Sequence, residues 1–224
     1  MRPVSAWETR SSSVCTSVEI VASHGEGIRW CRLETALEEF KPDIVHLHNV
    51  SARYSDLKLC QEQGVPHVLS LHDFWPYCRN RMMLHNGQSC DGCDNRCGNA
   101  YRAGDVWHTD ANVIFTSHCE PFYAAQGLQC KIIPHGIDLT YWTPDDRQKW
   151  QVAFVCADAN SWWKGCAIVD QVLGDLPLNK IINFRPQEDV RTAMKTAAVL
   201  VVPSIYEEPW CLAATQALAC GVPV

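Results

Sequence analysis

Runs of apolar residues at two different spacings mark out the elements of this chain. The first strand-like run, Ser17-Val18-Glu19-Ile20-Val21-Ala22, is short and weakly patterned. Residues 28–40 then put Ile28, Cys31, Leu33, Ala36, Leu37 and Phe40 at helical spacing, and Lys41-Pro42 ends them, so a helix is expected there. Pro42-Asp43-Ile44-Val45-His46-Leu47-His48-Asn49 reads as a buried parallel strand with a polar end. A helix over Ser55–Gln63, a turn at Gly64-Val65-Pro66 and a strand at 67–71 follow, the strand running into His72-Asp73-Phe74-Trp75. Residues 111–117 predict another strand, with a helix from Glu120. Beyond the polar stretch 143–149 the pattern restarts, with a strand at 151–156, a helix at 166–173, a strand at 181–185, a helix at 190–197 and an apolar β run at 198–202. The loop 203–211 leads into an Ala/Leu-rich helix closed by Gly221 and Pro223.

Strand, helix and strand in alternation predict an α/β chain with parallel sheets. The polar stretch divides it into a first domain at 1–142, a linker at 143–150 and a second domain at 151–224. In open parallel sheets ligands sit outside the carboxyl ends of the strands, and the N–H groups opening a helix attract anions. The loop 203–211 is therefore where a phosphorylated ligand is expected. Glu208 enters that site from the loop, and Gln216 shares a helix face with Leu212 four residues before it, so Glu208 and Gln216 are both candidates to reach the ligand. Each candidate has a plainer reading: Glu208 as a solvated carboxylate, Lys164 as a surface lysine, His72 as a hydrogen-bonded structural residue. Trp162 and Trp163 read as packing residues.

The segment Pro203-Ser204-x-Tyr206-Glu207-Glu208-Pro209-Trp210, followed by Gln216-Ala217-Leu218-Ala219-Cys220-Gly221-Val222-Pro223, resembles the C-terminal signature of GT-B, family 4 type retaining glycosyltransferases. That signature usually has two glutamates eight positions apart; Gln216 stands in place of the second, and Cys211 where a Gly usually lies. The strands ending in Pro-Asp-Ile-Val-His-Leu-His and His72-Asp73 resemble the same family's N-terminal half, and Pro134-His135-Gly136-Ile137-Asp138 its interdomain segment, with His135 replacing an Asn. The resemblance implies two Rossmann-like domains facing a cleft. It makes Glu208 and His72 the residues on the donor sugar, His48 and Asn49 acceptor-side residues, and Lys164, Gly165, Cys211, Leu212 and Gln216 the site of a nucleotide-sugar donor. The Arg usual before the Lys-Gly pair is absent, Ala157, Asp158 and Ala159 occupying the region. Gly136 is expected to turn the chain close to the ligand through a backbone angle that only Gly takes easily, although a plain turn would need the same Gly.

The family implication is retaining sugar transfer from a nucleotide diphosphate to a glycan or lipid-linked acceptor, in cell-surface polysaccharide synthesis and with no cofactor for catalysis. A non-catalytic sugar-nucleotide or glycan-binding relative is the alternative. The resemblance covers about residues 40–224 and implies an interior fragment with both domains incomplete.

Four cysteines, Cys78, Cys90, Cys93 and Cys97, lie in a Gly/Asn/Asp-rich loop, and Cys90-x2-Cys93 has a metal-ligand spacing. A structural zinc, free thiols and disulfides all remain open, and a partner-binding module built on this loop is a further possibility. The other cysteines of the thirteen sit mostly in apolar segments and suit buried thiols in a reducing compartment. A formal charge of −6 leaves no basic footprint, so no nucleic-acid partner is expected. No apolar run approaches a membrane span and the start lacks a signal peptide's apolar core. The expected location is the cytoplasm, with at most peripheral contact at the inner face of the membrane.

Overall fold

The structure, a computed structural model, describes residues 18–21, 28–48, 54–75, 78, 80–90, 97, 109–125, 127–145, 150–156, 161–174, 178–182 and 186–224. Two compact units divide it: Met1–Tyr77 with Tyr101–Ile133, and Cys78–Ala100 with Pro134–Val224.

The first unit opens with an antiparallel ribbon, β1 (Val18–Val21) against β2 (Ile28–Cys31), in which Val18 faces Cys31 and Val21 faces Ile28. The helix expected over 28–40 therefore starts later, as α1 (Leu33–Phe40). Ile28 and Trp30, β-branched and aromatic at alternate positions, suit a paired strand better than a first helical turn. Helix α1 buries Leu33, Ala36 and Leu37, one face at i, i+3 and i+4. It ends where Lys41 turns left-handed (φ 46°) and its N–H bonds to Leu37 O.

Strand β3 (Val45–His48), helix α2 (Tyr54–Glu62) and strand β4 (His67–Ser70) follow. A small antiparallel hairpin, β5 (Leu84–His85) and β6 (Gln88–Ser89), groups with the second unit. Its turn is Asn86-Gly87, both at positive φ (51° and 76°), the pairing that matches the twist of a two-residue hairpin. Back in the first unit come β7 (Ala111–Ile114), α3 (Glu120–Ala124) and β8 (Cys130–Ile132). The sheet order is β3-β4-β7-β8, every neighbour parallel. Strand β3 lies at the edge, so it is not the fully buried strand expected from its apolar run: Leu47 is buried while His46 and His48 are exposed. Leu57, Cys60, Leu69, Leu71, Phe74, Ile114 and Tyr123 fill the core.

In the second unit β9 (Gln151–Cys156) is central, with α4 (Cys166–Leu173) after it, then β10 (Leu178–Ile182), α5 (Gln187–Thr196), β11 (Ala197–Leu200) and α6 (Leu212–Ala219). Strands β10 and β11 flank β9, both parallel to it. Glu188 and Asp189 sit in the first turn of α5, where the helix dipole favours carboxylates. Met194, Ala197, Leu200, Ala217, Cys220 and Val222 pack with Trp142 and Ala153 in one core cluster.

Trp142 reaches that core because Asp138 organises the turn before it: Oδ1 accepts the N–H and hydroxyl of Thr140, and the Asp138 carbonyl accepts the N–H of Trp142 at 2.8 Å. Ile137 and Tyr141 pack on the same cluster. The units consequently divide between Ile133 and Pro134, before the polar stretch 143–150 read as a linker. Residues 146–149 of that stretch lie outside the described residues. Among the described residues no helix is long and apolar enough to cross a membrane.

Candidate functional site

Two loops leave the carboxyl ends of neighbouring parallel strands β9 and β11 and meet. The first turns through Trp162–Lys164 in a 3₁₀ turn and reaches Gly165, which adopts φ +77° immediately before α4. A Cβ on Gly165 would overlap the Pro203 carbonyl oxygen and come within 2.9 Å of its carbonyl carbon. Glycine is thus required twice, for the left-handed angle and for the approach of the 203–211 loop. The Ile205 N–H bonds to Trp163 O at 2.9 Å and ties the loops together.

That contact puts Lys164 against Glu208. Lys164 Nζ lies 2.8 Å from Glu208 Oε1, with side chains 26% and 11% exposed. The Ser204 hydroxyl donates to the same carboxylate oxygen, and Lys164 Nζ stands 5.1 Å from the Tyr206 ring centroid. Burial pulls the Lys164 pKa down, but its hydrogen bond and charge pairing with Glu208, together with Tyr206, outweigh burial and hold it above the ordinary lysine value. The ammonium is therefore permanent at neutral pH.

Cys211 stands at the N-cap position of α6, in extended conformation, and makes no side-chain capping hydrogen bond. Burial first, and Glu208 second, push its thiol up, so it stays protonated at neutral pH. Leu212 opens the helix with its side chain half exposed, while Gln216 is buried. Trp210 completes the loop: its indole N–H is buried without a hydrogen-bond partner among the described residues, and its ring stands 5.9 Å from that of His135. Burial lowers the His135 pKa and favours the neutral imidazole. Neighbouring Gly136 is not in the left-handed region, and a Cβ there would meet nothing within 4 Å. The special backbone angle expected at Gly136 is instead found at Gly165. Residues 157–160, where the additional Arg was sought, lie outside the described residues.

In the first unit His72 follows β4, and its Nε2 lies 2.7 Å from Nδ1 of His48. Asn49 lies outside the described residues. Asp73 caps the residues after it, Oδ1 accepting the Trp75 N–H at 2.8 Å, while its carbonyl accepts the Tyr123 hydroxyl at 2.7 Å. Another histidine, His67, is buried at the start of β4 with Nδ1 3.1 Å from Val65 O.

Of the four clustered cysteines, Cys93 lies outside the described residues; Cys78, Cys90 and Cys97 are in no disulfide. His85 Nδ1 stands 3.1 Å from Cys97 Sγ, a neighbour that spacing alone did not reveal. Among the described residues no three His, Cys, Asp or Glu side chains converge as metal ligands. Elsewhere burial pushes the Cys60 and Cys130 thiols up to about 11, which keeps them protonated at neutral pH.

The class defined by this architecture is mixed α/β with parallel sheets, in two units. Residues 179–224, which carry β11, the 203–211 loop and α6, match the family model described as glycosyl transferases group 1. Among solved structures the chain resembles HepE of Anabaena, crystallised in complex with UDP-glucose, at 13% identity and a TM-score of 0.59. The match covers 86% of this chain and 60% of that one, so the chain spans less than two thirds of HepE. The fold is that of a GT-B glycosyltransferase. No curated protein sequence matches the chain.

Proposed function

We propose that this chain is a glycosyltransferase, or part of one, that moves a sugar from a nucleotide diphosphate donor to a glycan or lipid-linked acceptor with retention. One observation carries the reading: Lys164 and Glu208 converge beside Cys211, where α6 begins and the family model matches. Lys164 is the cation for the donor diphosphate, aided by the N–H groups that open α6 near Cys211 and Leu212. Glu208 holds the donor sugar's hydroxyls and Gln216 the ribose, and Gly136 belongs to the same donor set; the family resemblance assigns His72 to the sugar as well.

No carboxylate nucleophile is needed in this scheme. Positive charge at Lys164 and the helix start stabilises the departing diphosphate more than the bound ground state, which lowers the barrier to breaking the anomeric C–O bond. The departing phosphate oxygen then takes the acceptor's proton on the same face. Because Lys164 is already paired, donor binding exchanges part of its contact with Glu208 for contact with phosphate, and Glu208 turns to the sugar.

HepE was solved with UDP-glucose, which makes that donor the first to try. At about 100 times its dissociation constant a ligand stabilises by about 2.7 kcal/mol, a rise of about 5–10 °C for a chain this size. Lys164→Ala abolishes that rise while the chain still melts cooperatively. A panel of UDP, GDP and ADP conjugates that produces no rise overturns the reading. Binding without transfer or donor hydrolysis, unimproved by Gln216→Glu, favours a non-catalytic sugar-nucleotide binder, the reading that Gln216 in place of a glutamate supports. The proposal extends to a structural zinc on Cys78, Cys90, Cys93 and Cys97, resting on their spacing; reduced, purified chain without about one zinc per molecule removes it.

A further inference from the structure

The loop 203–211 is tied down by its main chain before it reaches Glu208. The Pro203 carbonyl lies so close to Gly165 that a Cβ there would overlap its oxygen, and the Ile205 N–H bonds to Trp163 O at 2.9 Å. Ser204 sits between these two anchors. Both lie on the turn that contains Lys164, Trp162–Lys164 with Gly165 after it. The place of Ser204 is therefore set by main-chain contacts rather than by the Lys164 side chain.

Four residues on, Glu208 Oε1 collects two donors, Lys164 Nζ at 2.8 Å and the Ser204 hydroxyl. The two differ in kind. Lys164 is a cation on a flexible four-carbon stem, a point charge open to competition from any other anion. Ser204 is neutral and short, with a single hydroxyl proton on a backbone fixed to either side of it. A hydrogen bond from it to an ionised carboxylate is stronger than one between neutral groups.

We infer that Ser204 is a positioning residue that holds the Glu208 carboxylate independently of Lys164, so that Glu208 stays oriented when Lys164 turns to an anion. The functional half of the inference rests on the reading of Lys164 and Glu208 as donor-site residues. The hold itself belongs to the free chain. A phosphate that draws Lys164 away breaks one of the two contacts at Oε1 and leaves the other, and the carboxylate does not have to be placed again for the sugar.

Ser204→Ala removes the hydroxyl and Ser204→Thr keeps one. Urea unfolding of this chain reads the hold without ligand, in three backgrounds. Ser204→Ala shifts the unfolding equilibrium about fivefold, the worth of one hydrogen bond, in the wild type and again in Lys164→Met. In Glu208→Ala, where the acceptor is gone, the shift is at most about twofold. Ser204→Thr recovers most of the loss. A shift that disappears in Lys164→Met makes Ser204 part of the ion pair, and an undiminished shift in Glu208→Ala makes it a loop residue with no action on Glu208; either overturns the inference. Binding of UDP-glucose and of UDP reads the consequence, because only the first has the sugar. Ser204→Ala weakens UDP-glucose about fivefold and leaves UDP within about twofold, and Ser204→Thr binds both as the wild type does. Equal weakening of both, or of neither, overturns the positioning role. If the wild type binds neither, the functional reading fails for this donor, while the urea series still decides whether Ser204 holds Glu208.

Discussion

Both units place polar side chains just beyond the carboxyl ends of parallel strands, but they expose them very differently. After β3 and β4, the His48 and His72 rings meet at an exposed edge, Nδ1 to Nε2 at 2.7 Å. After β9 and β11, Lys164 and Glu208 meet under cover, as full charges 26% and 11% exposed. Topology puts chemistry at strand ends in each, and burial decides how much depends on it. An exposed hydrogen bond is worth about 1 kcal/mol net, whereas a covered charge deprived of its partner costs several times that.

Glycine substitutions break the comparison hardest. Gly165→Ala combines a left-handed backbone angle with overlap on the Pro203 carbonyl, and is expected to cost about 3 kcal/mol or more, a fall in Tm of about 6–12 °C. Gly136→Ala, at an open position, should leave Tm within about 2 °C. Equal melting of the two by calorimetry would show that the loop 203–211 does not approach Gly165 as described.

Glu208→Ala comes next. It leaves Lys164 mostly covered and unpaired, at a cost of about 2 kcal/mol once its partial exposure is allowed for, and it weakens donor binding too. Glu208→Gln, which can still accept from Ser204, should lose less stability. Urea midpoints that rank Gln below Ala would contradict the pairing. Smaller again is Tyr123→Phe in the first unit, which removes the hydroxyl bonded to Asp73 O inside the core and should cost about 1 kcal/mol by the same measurement.

The smallest effect is a pH dependence. His135 has a folded pKa below its ordinary 6.5 because of burial, so the unfolded chain binds the proton more readily. Stability from this site is complete above 6.5 and is lost as pH falls from there through the lowered folded value. His135→Asn should flatten that part of the stability curve and leave the alkaline side unchanged. A curve with the same acid slope in both proteins would remove His135 as its source.

Much of the second unit was legible in the chain. Helix α4 stands at the expected Cys166–Leu173, because an apolar run after a Lys-Gly start leaves little alternative. The loop 203–211 is where its Pro-bounded composition placed it. The first unit was harder to read, since a periodic count merged β2 into α1, and an apolar run at 42–49 concealed that β3 is an edge strand. Asn86-Gly87 is a hairpin signal within the Cys-rich segment, legible in the sequence as it stands. The wrong glycine was singled out for strain because the requirement at Gly165 comes from Pro203, a residue distant in sequence.

The sequence by itself determined the alternation of strands and helices, the strand-end positions of His48 and His72, the place of Lys164 just before a helix, and the loop containing Glu208. These follow from side-chain period and local punctuation, which act over a few residues. Only the tertiary structure decided the partners: Lys164 with Glu208, His48 with His72, His135 with Trp210, Gly165 with Pro203. Each pairing depends on the register between strands or on the path of loops after them, and no local pattern encodes a distance between segments that meet only when the sheet has formed.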